Sequence, residues 1–235
     1  MGHFQSVAVQ GGIREGRRYG VIANNLSNSQ TVGFKKDHLV FREVIDKASN
    51  WMKSEETGRT WISFRQGELQ TTGNPLDVAI DGEGFFKIKT PQGIRYTRAG
   101  KFELNRDGVL ANSNGLPVMG RGGEINVGGK SISIAKDGSI QADGSVVDQL
   151  AVVTLPNPSL LKKEGQNLMR LDVPQQEVEG GEGQVVQGAL ESSNVNTLEE
   201  MMKMMDSLRV YESCLKAIQS NDELNAKVVN EVGRV

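Results

Sequence analysis

Asp-Gly pairs recur at positions 81–82, 107–108, 137–138 and 143–144, each beside a short apolar run. Glycine accepts positive φ and aspartate tolerates it, so such pairs read as tight turns between antiparallel strands. The runs they punctuate are Leu76 to Ile80, Phe85 to Ile88, Phe102 to Leu104, Ile132 to Ile134 and Val146 to Leu155. No helical period of useful length interrupts them, which predicts an antiparallel barrel or sandwich over about 60–190 and argues against a βαβ fold. The stretch Pro174 to Gly188, rich in Gln, Glu and Gly, reads as an exposed connector.

Both ends read as helices. In the first, about 3–28, Val9, Ile13, Ile22 and Leu26 can share part of a face. Gly11, Gly12, Gly16 and Gly20 each cost roughly 1 kcal/mol of helix propensity relative to alanine, so this helix is weak alone. Gly12, Gly16 and Gly20 form a smooth stripe that a second helix could approach closely. The last segment, about 197–231, opens with Asn196 as a cap and Glu200 placed to reach back as in a capping box. From there Met201, Met204, Leu208, Tyr211, Leu215 and Ile218 recur at spacings of 3, 4, 3, 4 and 3, the pattern of a coiled-coil seam. The same frame then meets Asp222 and Asn225 before Val229, so the seam is incomplete. The fold class expected is α+β: terminal helices, each with a stripe that needs a partner, around a β-rich middle.

Composition narrows the function. Hydrophobic residues make up 37% and aromatics 5% of 235 residues, with 28 glycines, a lean supply for a self-contained globule. Lys+Arg 27 against Asp+Glu 29 gives a net charge of -2, which lacks the basic field that nucleic acid requires. Without a run of 18 apolar residues, no direct membrane insertion is expected, and the opening MGHFQSVAVQGGIREGRR lacks the apolar centre of a cleaved signal peptide.

Chemistry-bearing motifs fail one by one. Gly122 to Ser131 misses a phosphate-binding loop because Glu124 stands where the first glycine belongs and a strand-like Ile-Ser-Ile follows. Asp81-Gly-Glu-Gly84 sits between strand-like runs and reads as a turn. His3 and His38 lack partners at metal-ligand spacing, so no metal or cofactor is expected. Cys214, the single cysteine, reads as a core or interface residue. Met201, Met202, Met204 and Met205 have the softness for Cu(I), but methionine clusters on amphipathic helices more often pack. Asp77, Asp81 and Glu83 beside glycine are turn-formers before they are a glycosidase pair. A catalytic site is not expected.

Four segments in order carry a resemblance: Val21-Ile-Ala-Asn-Asn-Leu-Ser-Asn28 with Thr31-Val-Gly-Phe-Lys-Lys36; Gln66-Gly-Glu-Leu69 with Thr72 to Phe86; Tyr96-Thr-Arg-Ala-Gly-Lys-Phe102 with Asp107 to Leu110 and Gly115 to Gly120; and Gln187-Gly-Ala-Leu-Glu-Ser-Ser-Asn-Val-Asn196 with Glu200-Met-Met and Arg209 to Glu212. Together they resemble the flagellar basal-body rod and hook axial proteins over nearly the whole chain. Gly20 departs from the family pattern, standing where an acidic residue is usual. Membership implies a structural subunit, exported through the flagellar type III export apparatus without cleavage and located in the periplasmic rod of the basal body. Its partners would be copies of itself and neighbouring flagellar rod proteins.

The organisation implied is a terminal helical assembly domain from 1–30 and 197–235, pairing as a coiled-coil-like inner domain, an extended connector at 31–66, a β-rich outer domain at 67–188, and a second connector at 189–196. Assembly contacts are expected from Ile22, Asn24, Asn25, Leu26 and Asn28 in the first segment, with the three asparagines capping the helix. In the last they are expected from Met201, Met204, Leu208, Tyr211, Leu215 and Ile218. The short segment between Phe41 and Gly67 and the tail from Asn225 resemble proximal-rod members. A distal-rod or hook-type subunit is the alternative within the family. Outside it stands a secreted β-rich glycan-binding module or hydrolase.

Overall fold

A computed structural model describes residues 2–42, 57–128, 131–173, 177–179 and 183–232. The chain forms two compact units. One comprises residues 1–27, 37–61 and 196–235; the other comprises 28–36 and 62–195. The expected connector 31–66 is thus shared between them, its first part belonging to the β-rich unit and 37–61 to the helical one.

In the β-rich unit every described strand pair is antiparallel. The largest sheet runs in the order Leu161–Gly165, Leu168–Leu171, Gly93–Thr97, Phe85–Thr90, Val152–Thr154, Val178–Glu179. Successive side chains on a strand point to opposite faces. Phe86 and Val152 therefore join one buried cluster with Ile80, Ile88, Phe102 and Leu110, while Phe85 and Val153 join another with Tyr96, Leu161 and Met169. The sheet is covered on both faces, which is why Phe85-Phe86 and Val152-Val153 are apolar pairs instead of an alternation. Full burial of each such side chain contributes about 1.5–3 kcal/mol.

Three of the Asp-Gly pairs turn hairpins as the sequence predicts. Asp107-Gly108 joins Phe102–Leu104 to Leu110–Asn112, Asp137-Gly138 joins Ile132–Ile134 to Ser139–Ala142, and Asp143-Gly144 joins the latter to Ser145–Gln149. At the last, φ is 48° and 80°, positive at both central residues as a type I′ turn demands. Asp81-Gly82 is different: Val78–Asp81 pairs with Gln184–Gln187, while the next strand, Phe85–Thr90, enters the six-stranded sheet. This turn transfers the chain between sheets. The partner strand lies inside the expected connector Pro174 to Gly188, as does Val178–Glu179, and Ala189–Glu191 pairs with Leu69–Thr71. Pairing with Val153 and Thr154 for Val178–Glu179, and with the much earlier strands Val78–Asp81 and Leu69–Thr71 for the other two, supplies the strand character that the polar composition conceals.

Where these late strands close, the unit buries an ion triad. The Glu191 side chain has no exposed surface and that of Lys35 is 1% exposed. Lys35 Nζ donates to Glu191 Oε1 at 2.6 Å and to the Arg65 carbonyl at 2.9 Å. The Gly67 amide donates to the same carboxylate oxygen at 2.9 Å, and Arg98 Nη1 reaches Oε2 at 3.5 Å. Arg98 also donates to the carbonyls of Ile80 and Gly82. Burial lowers the pKa of both Lys35 and Arg98, with the Glu191 charge opposing it. Each arm comes from a different signature segment. Two glycines allow the approach: a Cβ on Gly33, where φ is 66°, would lie 2.4 Å from the Ala99 nitrogen, and one on Gly67 would lie 2.0 Å from the Ser192 carbonyl oxygen. Asn194 adds a polar stitch, accepting from the Lys36 amide at 2.7 Å and donating to the carbonyls of Ser63 and Arg65.

Removing one member of a buried ion cluster costs more than the cluster's net worth, because the remaining charge is stranded. Glu191→Gln should therefore destabilise the β-rich unit by about 3–5 kcal/mol in denaturant unfolding. Lys35→Met should cost less, since Arg98 and the Gly67 amide still hold the carboxylate.

A second network ties the edge strand. Glu177 accepts from Lys87 Nζ at 2.7 Å and from the Tyr96 hydroxyl at 2.5 Å. Burial and the Glu177 contact raise the Tyr96 pKa above its usual value. For Glu177, burial pushes the carboxyl up, but the bonds from Lys87 and Tyr96 outweigh it and hold the pKa below the usual 4.5. A depressed folded pKa gives stability that is complete above 4.5 and is lost as pH falls through the folded value. Glu177→Gln should flatten that part of the acid limb in a stability–pH profile.

Candidate assembly interface

The helical unit contains α1 (Gly2–Ser27), α2 (Thr197–Val232) and a two-stranded sheet of Asp37–Arg42 and Thr57–Ile62. Asn196 caps α2 as expected, its Oδ1 accepting from the Glu199 amide at 3.1 Å. Glu200 does not reach back. It is buried, accepting from Asn25 Nδ2 at 3.2 Å and from Lys203 Nζ at 3.3 Å.

The two helices pack antiparallel: Asn25 meets Glu200, Glu15 meets Ser207, and Gly11 meets Cys214. Ser207 Oγ donates to the buried Glu15 carboxylate at 2.8 Å. A Cβ on Gly11 would lie 3.2 Å from Cys214 Sγ and one on Gly12 would lie 3.9 Å from the Tyr211 ring. Glycine thus allows the approach at 11 and 12. A Cβ on Gly16 or Gly20 would meet nothing within 4 Å, so the expected stripe reaches α2 only at its first member.

This contact differs from the seam read from apolar spacing. Buried or half-buried positions on α2 include Glu200, Met204, Ser207, Cys214, Ile218, Asn221 and Asn225 at heptad spacing, with Lys203 and Ala217 half-buried beside them. Met204 and Ile218 belong to both patterns. Met201, Leu208 and Leu215, offered as seam residues, are exposed, at 46%, 41% and 41%, as is Tyr211. The positions that apolar spacing missed are polar or small, and only their heptad spacing marks them. On α1, Ile22 and Asn25 are buried, Leu26 is half-buried and Asn24 is exposed. Asn25 is not a cap. It donates to the Asp37 carbonyl at 2.8 Å and accepts from the Asp37 amide at 2.9 Å, clamping the first strand of the unit while bonding Glu200. Asn28 lies past the helix in the other unit, accepting from the Thr31 hydroxyl at 3.1 Å.

Among the described residues no cluster of His, Cys, Asp and Glu could hold a metal, and no helix is long and apolar enough to cross a membrane. His38 stacks on Trp61 with ring centroids 4.3 Å apart.

Residues 79–146 match the family model of the flagellar hook protein FlgE/F/G D1 domain, and residues 186–231 match that of the flagellar basal body rod FlgEFG protein C-terminal region. The chain is 32% identical over 229 residues to flagellar basal-body rod protein FlgF of Caulobacter vibrioides, spanning 93% of each. The chain belongs to the flagellar basal-body rod proteins. It is also 33% identical over 241 residues to rod protein FlgG of Bacillus subtilis, spanning 89% of this chain and 91% of the relative. Rhizobium meliloti FlgF is 29% identical over 92% of both. These are structural proteins of the basal body and not enzymes, which removes the hydrolase alternative.

Ser207 to Val should leave the buried Glu15 carboxylate without its hydroxyl partner, a cost of about 1–3 kcal/mol. The measurement is helix melting by circular dichroism in the full chain, with the β-rich transition unmoved.

Proposed function

We propose that this rod subunit occupies the proximal rod, is exported through the flagellar type III apparatus without cleavage, and polymerises in the periplasm through its terminal helices, helping to form the drive shaft that transmits torque. The observation that carries the reading is the exposed apolar stripe of α2. Met201, Met205, Leu208 and Leu215 lie uncovered on a helix whose intramolecular contact uses other positions. A side chain of this kind left in water forgoes about 1.5–3 kcal/mol of burial. Neighbouring subunits would supply the cover, turning the helices into a coiled-coil-like inner domain with the β-rich body outside it. A rod is an open helical assembly, so each subunit must present unlike, complementary faces.

Coupling of helix order to assembly follows from the same balance. Four glycines weaken α1, and Ile22 is its one large apolar side chain that is fully buried among those described. Helices with so little packing are marginal alone and gain order when a neighbour covers them. The short segment between Phe41 and Gly67 and the tail from Asn225 favour the proximal position, with a distal-rod subunit the competing assignment.

Leu208→Asp or Leu215→Asp should abolish motility and rod assembly while the β-rich unit unfolds at an unchanged denaturant concentration. Unimpaired swimming would contradict assembly through these helices. Electron microscopy of basal bodies from a deletion strain should show truncation within the proximal rod; truncation beyond it would favour the distal one.

A further inference from the structure

Four of the eight methionines fall within five residues, Met201 to Met205. At about 100° per residue, Leu198, Met201, Met202, Met205 and Leu208 share an arc of about 120° on the side of α2 turned away from Glu200 and Ser207. Between 198 and 208 no charged residue enters that arc. Met201, Met202 and Met205 are 46%, 49% and 53% exposed, flanked by Leu198 at 68% and Leu208 at 41%. The other methionines whose side chains are described are more enclosed: Met119 and Met204 are half-buried, and Met169, in a β-rich core cluster, is 2% exposed. Three thioethers thus stand side by side in water, while a fourth in the same run is turned toward the helix contact. Packing alone does not require sulfur here, since Leu208 and Leu215 continue the same stripe without it.

We infer that Met201, Met202 and Met205 form a modification site, converted to sulfoxides by hydroperoxides in the free subunit, and that the modified chain is kept out of the assembly. The oxidant is a two-electron oxygen donor such as hydrogen peroxide. A sulfur lone pair displaces hydroxide from the peroxide: an S–O bond forms and the O–O bond breaks. The proton left on the new S–OH passes to the hydroxide, so one water is released, the sulfur is oxidised and the peroxide reduced. The reaction needs an accessible sulfur, which selects these three over Met204 and Met169. Its product is polar and chiral where the thioether was apolar and flexible. A sulfoxide oxygen in the middle of an uncharged apolar patch then resists being covered, because burying an acceptor without a donor is unfavourable. The consequence for assembly rests on the reading that α2 meets its neighbours through this stripe; the oxidation itself does not.

The first test uses the purified, unassembled full chain, treated with hydrogen peroxide and followed by peptide mass spectrometry. Met201, Met202 and Met205 are expected to oxidise roughly tenfold faster than Met169 in the native chain, and at similar rates once it is unfolded in denaturant. Native rates no faster than that of Met169 would overturn the site. The second test replaces the three methionines together, in a strain lacking the native chain. With Met201→Gln, Met202→Gln and Met205→Gln, which imitate the polarity of the sulfoxide, the chain in purified basal bodies is expected to fall roughly tenfold. With leucine at the same three positions it is expected to stay at the native level. Circular dichroism of both purified variants should match the native chain, all three sites being exposed. A glutamine variant that assembles normally would overturn the exclusion, and so would a leucine variant that fails equally, because polarity is then not the cause. If Leu208→Asp blocks assembly while the glutamine variant assembles normally, the rod reading stands and this inference falls.

Discussion

A single carboxylate holds the β-rich unit to one arrangement. Glu191 is fully buried and pairs with both Lys35 and Arg98, which precede it by 156 and 93 residues. A cation taken out of water forfeits several kcal/mol of hydration, so neither can be buried stably until the strand bearing Glu191 is in place. The hydrophobic clusters make the unit compact. The triad specifies how its early and late segments meet, and Gly33 and Gly67 are the points where bare backbone is needed for them to do so.

The helical unit follows the opposite plan. Its internal contact is built from polar and small residues: Asn25 with Glu200, Glu15 with Ser207, Gly11 with Cys214. Such pairs fix register, because sliding either helix would bury an unsatisfied carboxylate. They contribute little apolar burial. Apart from Met204 and Ile218, the large apolar residues of α2 are displaced around the helix from that contact, which leaves the unit well aligned and weakly held. A subunit that must complete its helices against neighbours needs that combination.

Much of this was legible in the sequence where local chemistry decides structure. Asp-Gly turns, both helix spans and the Asn196 cap need only nearest neighbours. The four signature segments were legible as a family resemblance, yet nothing local says that Lys35, Gly67, Arg98 and Glu191 converge, since their separations exceed any periodic signal. The strands at Val178–Glu179, Gln184–Gln187 and Ala189–Glu191 were hidden because their polar composition reads as loop and their partners are distant. The helix contact was misplaced by one position on alternate turns for a related reason. A search for large apolar residues at heptad spacing finds the face that remains exposed, whereas Glu200, Ser207 and Cys214 occupy the face that is used.

The account predicts unequal stability in the free subunit: a β-rich unit locked through Glu191 and helices that wait for neighbours. Native-state hydrogen exchange on the purified, unassembled full chain, compared with the chain in isolated basal bodies, tests this most directly. Amides in strands beside the triad should exchange only with global unfolding in both states, while those of α1 and α2 should exchange orders of magnitude faster in the free chain and become protected in the assembly. Helices as protected as the β-rich strands in the free subunit, or no gain of protection on assembly, would contradict it.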